Sequence, residues 1–224
     1  MKSYADKKIF VEKLLAWWNK NKRNFFWRET TDPYKIFVAE VLLKKTTSSQ
    51  VKQIYSQFVK TFPTVKDLYM ADDETIMKII KPLGMYKQRT KQLKSAAEYI
   101  IKNFSGEFPI EKQKLLKVPG VGEYTANAIL SFSSGYLEPL LDRNFIRIIE
   151  RIFCFRSNKK RARNDKEFWK FAKSLVKLSG TPYFNYAVLD FAALICTAKK
   201  PKCSICPIKE ICCYFLNFGN KQKI

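Results

Sequence analysis

Histidine is missing from all 224 residues, so zinc sites that rely on an H-x3-5-H knuckle are excluded. Alternating polar–apolar strands and Asn-Gly hairpin turns are missing as well, which removes the β classes and leaves an all-α chain. No apolar stretch approaches the length of a membrane span. Repeats and low-complexity linkers are absent, so any boundary between domains must be compact. Acidic residues are few: 20 against 42 lysines and arginines, a net charge of +22. An excess of that size points to a polyanionic partner, nucleic acid first. Lys2, Lys7, Lys8 and Lys13 break up the early apolar residues, so no signal peptide is read. The expected compartment is therefore cytoplasmic, with no membrane partner and with cysteines kept as thiols.

Apolar residues make up 46% of the chain, enough for a real core, and recur with a helical period. The expected helices are Asp6 to Trp18, Tyr34 to Leu43, Ser48 to Phe62, Asp72 to Ile80, Met85 to Phe104, Glu123 to Phe132, Asn144 to Phe155, Asp165 to Leu178 and Tyr183 to Cys196. Turn residues separate them at Asp32-Pro33, Phe62-Pro63, Pro82-Leu83-Gly84, Phe108-Pro109, Pro119-Gly120 and Gly180-Thr181-Pro182. Trp17 and Trp18 are expected to pack the first helix, and Asp190, among Val188, Leu189 and Phe191, to be a buried structural acid.

Cys196, Cys203, Cys206 and Cys212 follow the spacing C-x6-C-x2-C-x5-C in one stretch containing Pro201 and Pro207. Four thiolates so close can wrap a single inorganic centre, zinc or a 4Fe-4S cluster. Only Cys203 and Cys206 form a short knuckle and the outer spacings are long, which favours the cluster. Of the two remaining cysteines, Cys154 reads as a small buried side chain in IIERIFCF. Cys213 is a competitor for the place of Cys212.

The stretch Leu115 to Ala126, LLKVPGVGEYTA, reads as two short helices joined by a hairpin. Pro119 ends the first, and Glu123 opens the second with its positive end toward the turn. Gly120 and Gly122 let main-chain amides approach a phosphate, a contact that reads no sequence. Asp142 stands where an N-cap would precede the helix from Asn144. Glu40, one turn from Ile36 and Phe37, is expected to point inward among apolar groups, where burial without a partner would raise its pKa.

Together, LxxVPGVGxYTA, the segment Leu141-Asp142-Arg143-Asn144 with Arg147, and the four cysteines resemble the helix-hairpin-helix DNA glycosylase superfamily, the group of endonuclease III and the MutY-type adenine glycosylases. The resemblance runs from about Phe26-Trp27-Arg28 to the cysteines. It implies a six-helix domain, residues 24–136, that includes the helix-hairpin-helix at 115–126. It also implies an iron–sulfur cluster domain formed by residues 1–23 and 137–224. Asp142 becomes the catalytic carboxylate, an ionised N-cap. Bifunctional members carry lysine where this chain has Tyr124, so the resemblance implies a monofunctional glycosylase that leaves an abasic site. Gly120, Gly122 and Thr125 are the hairpin's DNA contacts. Lys44 and Met85 align with residues that enter the base stack, each with an ordinary surface or core role as the alternative. Tyr124 and Lys44-Lys45-Thr46 look most like archaeal thymine-DNA glycosylases acting on T·G and U·G mismatches, with Glu40 and Tyr124 lining the pocket for the flipped base. The expected partner is double-stranded DNA bearing a mismatched or damaged base, bound by a monomer. The alternatives are an adenine glycosylase, a bifunctional endonuclease III-like enzyme and a noncatalytic iron–sulfur DNA-binding protein.

Overall fold

The computed structural model describes residues 3–218. Among them every regular element is helical: α1 (Tyr4–Asn21), α2 (Pro33–Leu43), α3 (Ser48–Thr61), α4 (Val65–Met70), α5 (Asp73–Ile80), α6 (Tyr86–Phe104), α7 (Lys112–Leu115), α8 (Glu123–Ser134), α9 (Arg143–Phe153), α10 (Lys166–Ser179), α11 (Phe184–Leu194) and α12 (Cys213–Phe218). No described helix is long and apolar enough to cross a membrane. Chain contacts divide the protein into two compact units, Asn24–Tyr136 on one side and Met1–Arg23 with Leu137–Ile224 on the other.

In the unit Asn24–Tyr136, α2 is the central helix. Asp32 starts it by accepting hydrogen bonds from the amides of Tyr34 (2.9 Å) and Lys35 (3.4 Å), with Pro33 at the first helical position. Buried side chains then run almost all round it, from Tyr34 to Leu42. A helix apolar on most faces must be surrounded, and α3, α6 and α8 pack against this one. Reciprocal capping boxes at Thr47 with Gln50 and at Thr64 with Asp67 set the starts of α3 and α4. The sequence gives α4 no visible period, because it spans only 6 residues.

The other unit closes around α9, whose Phe145, Ile148, Ile149 and Ile152 form one buried stripe. Phe10 of α1 inserts beside it, edge-on to Phe153 at 5.3 Å and to Phe184 at 6.0 Å. Asp190, fully buried as expected, accepts from Trp18 Nε1 (2.9 Å), the Arg23 amide (3.1 Å) and Arg23 Nε (2.6 Å), which fastens the end of α1 to α11. Trp17 packs edge-on against Phe191 at 5.4 Å.

Two cysteine expectations need correction. Cys154 is exposed, not buried, and is joined to Cys213 by a disulfide. After Phe153 the backbone turns left-handed at Cys154 (φ 51°), which ends the inward stripe and carries the side chain out of the core. It meets the first residue of α12, which packs on α9. The expectation that all cysteines stay thiols therefore fails for this pair, and the disulfide withdraws Cys213 from competition with Cys212.

The Asp190 site yields a stability prediction. Asp190→Asn turns an acceptor into a donor facing Arg23 and should cost about 2–4 kcal/mol. For a chain of this size that is a fall in Tm of roughly 5–12 °C. Thermal unfolding followed by circular dichroism checks it, and an unchanged midpoint contradicts it.

Candidate functional site

The hairpin between α7 and α8 depends on one glycine more than on the other. Gly120 is left-handed (φ +79°), and a Cβ on it would lie 2.5 Å from the Gln92 side chain. Gly122 is extended (φ −105°), and a Cβ there would meet nothing within 4 Å. The first helical bond of α8 runs from the Ala126 amide to the Gly122 carbonyl at 2.9 Å, and no side chain caps this end. The helix start therefore presents main-chain amides beside two exposed glycines, an arrangement suited to a phosphate. Thr125 differs from its sequence reading, since at 4% exposure its side chain belongs to the core.

Lys44 and Met85 flank this hairpin in different ways. Lys44 is an exposed residue whose Nζ donates to the Gly120 carbonyl at 3.1 Å, where Gln92 Nε2 donates too at 3.1 Å. Partial burial of the amine lowers the Lys44 pKa; the nearby Glu40 charge opposes that shift and the Arg89 charge adds to it. Glu40 is half-buried, and its charge lies near enough to Lys44 to act on it. Met85 is 43% exposed and left-handed (φ 49°), a conformation uncommon outside glycine. Tyr124 is half-buried in the first turn of α8, the helix that packs on the Glu40-bearing α2.

In the other unit Asp142 caps α9. Its Oδ1 accepts the amides of Asn144 and Phe145, both at 2.8 Å, and its Oδ2 accepts Asn144 Nδ2 at 2.6 Å. Burial nevertheless pushes its pKa above the ordinary 3.8, against the Phe145 and Asn144 hydrogen bonds and the Arg147 charge. The N-cap was expected to hold the carboxylate low; desolvation outweighs it. Arg147 carries the arrangement further, donating to Asn144 Oδ1 (3.0 Å), the Ala192 carbonyl (3.1 Å) and the Cys196 carbonyl (3.1 Å). Asn185, which sequence reading missed, is 1% exposed and fixes the approach to Asp142. Its Oδ1 accepts the Leu140 amide (2.9 Å) while its Nδ2 donates to the Glu138 carbonyl (2.9 Å).

Cys196, Cys203, Cys206 and Cys212 are free thiols lining one cavity with Arg151, Ile195 and Tyr214. Among the described residues no three metal-binding side chains converge as they would on a single ion. Four thiols lining one cavity are a donor set that a thiolate-bound inorganic centre uses. Burial pushes Cys206 up to about 12 and raises Cys203 and Cys212, so four thiolates here need a strongly positive group among them. Arg151 supports the loop by donating to the Thr197 carbonyl (2.7 Å), the Ala198 carbonyl (2.8 Å) and Cys196 Sγ (3.4 Å). Lys199, Lys200 and Lys202 are exposed around it.

Comparison with known proteins agrees with both halves of this description. Residues 38–174 match the HhH-GPD superfamily base excision DNA repair protein family, and residues 196–212 match the iron-sulfur binding domain of endonuclease III. The chain is 42% identical over 209 residues to a thymine/uracil-DNA glycosylase of Pyrobaculum aerophilum, covering 92% of this chain and 91% of that one. The solved structure of a thermostable thymine-DNA glycosylase superimposes with a TM-score of 0.90 at 36% identity, over 95% of this chain and 98% of that chain. A trapped endonuclease III–DNA covalent intermediate shares the fold, with a TM-score of 0.84 at 19% identity over 97% of this chain and 99% of that chain. An Asp142-capped helix, a glycine hairpin and a four-cysteine loop thus stand on a chain that belongs to the HhH-GPD superfamily of base excision DNA repair proteins.

Proposed function

We propose that this protein is a monofunctional DNA glycosylase that removes thymine or uracil opposite guanine from double-stranded DNA, acting as a monomer in the cytoplasm. The observation that carries the reading is the end-to-end similarity to a thymine/uracil-DNA glycosylase, which covers 92% of this chain and 91% of that one. The net charge of +22 supplies the attraction to the phosphate backbone. Gly120, Gly122 and the first turn of α8 grip a phosphate through main-chain amides. Met85 and Lys44 enter the stack in place of the extruded base, and a mismatched pair costs less to open than a matched one.

Glycosidic bond cleavage leaves the sugar with oxocarbenium character, and the Asp142 carboxylate stabilises that charge from a partly desolvated position. The pyrimidine departs with the bonding pair as an N1 anion, and water then adds to the sugar carbon and gives up a proton to solvent. Glu40 accepts the hydrogen on N3 of the flipped base, and Tyr124 lines the same pocket. Tyr124 offers no amine for a Schiff base, so the chain stays intact at the abasic site. Cys196, Cys203, Cys206 and Cys212 would hold a 4Fe-4S cluster, whose bonds to the four thiolates would cross-link residues 196 to 212 and fix the lysine-bearing loop.

Four outcomes test this reading. With duplexes carrying T·G, U·G, A·G, adenine opposite oxidised guanine, or thymine glycol, alkali should break only the first two, and release of adenine alone contradicts the substrate. Borohydride should trap no covalent complex with the wild type; a trapped complex contradicts the monofunctional mechanism. Asp142→Asn should slow single-turnover base release by at least about 100-fold while DNA affinity stays within a few-fold. For the cluster, purified protein should be brown and contain iron and acid-labile sulfide in equal amounts, whereas colourless protein with stoichiometric zinc contradicts it.

A further inference from the structure

Arg89 is 4% exposed, and its partners are main-chain carbonyls and one hydroxyl. All five of its N–H donors are used. Nε donates to the Gly84 carbonyl (3.1 Å), Nη1 to the carbonyls of Val41 (2.5 Å) and Leu42 (3.0 Å), and Nη2 to the Lys44 carbonyl (2.6 Å) and to Thr46 Oγ1. Two loops far apart in sequence are gathered on one planar fork. The first is the end of α2 with residues 44–46, whose last carbonyls have no helical partner of their own. The second is the turn before α6, in which Gly84 (φ +70°) and Met85 (φ 49°) are both left-handed.

Strained positions of this kind persist only where their surroundings over-determine them. Lys45 (φ 55°), on the first loop, is left-handed too, so each of the two loops bound by the guanidinium holds a non-glycine residue in this conformation. The same assembly extends to the hairpin, because Lys44 Nζ and Gln92 Nε2 both donate to the Gly120 carbonyl, each at 3.1 Å. A lysine at position 89 would keep the charge but lacks the fork geometry that reaches both loops at once.

We propose that Arg89 is a positioning residue for base extrusion. Its guanidinium clamps residues 44–46 and the Gly84–Met85 turn into one rigid rim, so that Lys44 and Met85 enter the duplex together. The inference rests on the glycosylase reading above, and it assigns Arg89 no contact with DNA. Preorganisation of this kind acts on the opening step, leaving the phosphate grip and the Asp142 chemistry as they are.

The test combines single-turnover base release from a U·G duplex with the fluorescence of 2-aminopurine placed beside the target, which brightens when the stack opens. Arg89→Lys should lose at least tenfold in rate and most of the fluorescence rise, while DNA affinity changes less than threefold. A duplex in which the target faces no base is already partly open and should restore most of the rate. Unchanged rate and fluorescence contradict the clamp; so does a rate loss that parallels lost affinity and is not rescued by the unpaired target. Should Arg89→Lys fail to fold, Thr46→Val removes one recipient of the fork, and a fluorescence rise equal to wild type then contradicts the clamp. The wild-type arm separates the two ideas. No base release by wild type contradicts the glycosylase reading, whereas wild-type release with Arg89→Lys unaffected contradicts only the clamp.

Discussion

The placement of one carboxylate, Asp142, at the start of α9 governs the unit that contains it. Hydrogen bonds from Asn144 and Phe145 favour its ionised form, and so does the charge of Arg147; burial opposes them and prevails. A carboxyl poised this way costs stability when charged. With the folded pKa raised, its contribution to stability is fully present below the unfolded value and is lost as pH rises through the folded one. Ionising this partly desolvated group therefore works against the fold. Such a group is suited to stabilising a developing cation, and the cost is a reasonable trade for activity.

The surroundings of Asp142 compensate by fixing everything next to it. Asn185 secures residues 138 to 140 just before it, and Arg147 ties Asn144 to the carbonyls of Ala192 and Cys196 just beyond. The four-cysteine loop thus begins at a carbonyl already bound to the helix that Asp142 caps. In the unit Asn24–Tyr136 the same device recurs with different residues. Arg89 collects carbonyls from two loops, and Lys44 with Gln92 holds the hairpin through Gly120. In each unit buried or half-buried arginines bonded mainly to carbonyls set loop geometry, because an arginine can satisfy several carbonyls at once in a fixed plane.

Much of this was legible in the sequence where the chemistry is contiguous. The hairpin, the cap at Asp142 and the cysteine spacing are short strings whose residue types need one another locally. The long helices announce themselves by their apolar period, while α4, α7 and α12 are too short to show one. Cys154 was misread because a left-handed turn after Phe153 breaks a stripe that looks continuous on paper. Thr125 differs from its neighbour Tyr124 in burial, which residue type does not reveal. Arg89 left no trace at all. Most of its partners lie more than forty residues away, and all but the Thr46 hydroxyl are main-chain carbonyls, which look the same in every sequence.

The most direct test of the central claim is to follow the Asp142 carboxyl by ¹³C NMR against pH, on protein free of DNA, and to overlay the acid limb of single-turnover base release. Because the folded pKa is raised, protonation should begin at higher pH than for an ordinary aspartate. The carboxyl is predicted to titrate above 3.8, with base release falling as it protonates. Activity that stays flat through the Asp142 titration would contradict a catalytic role for its charge.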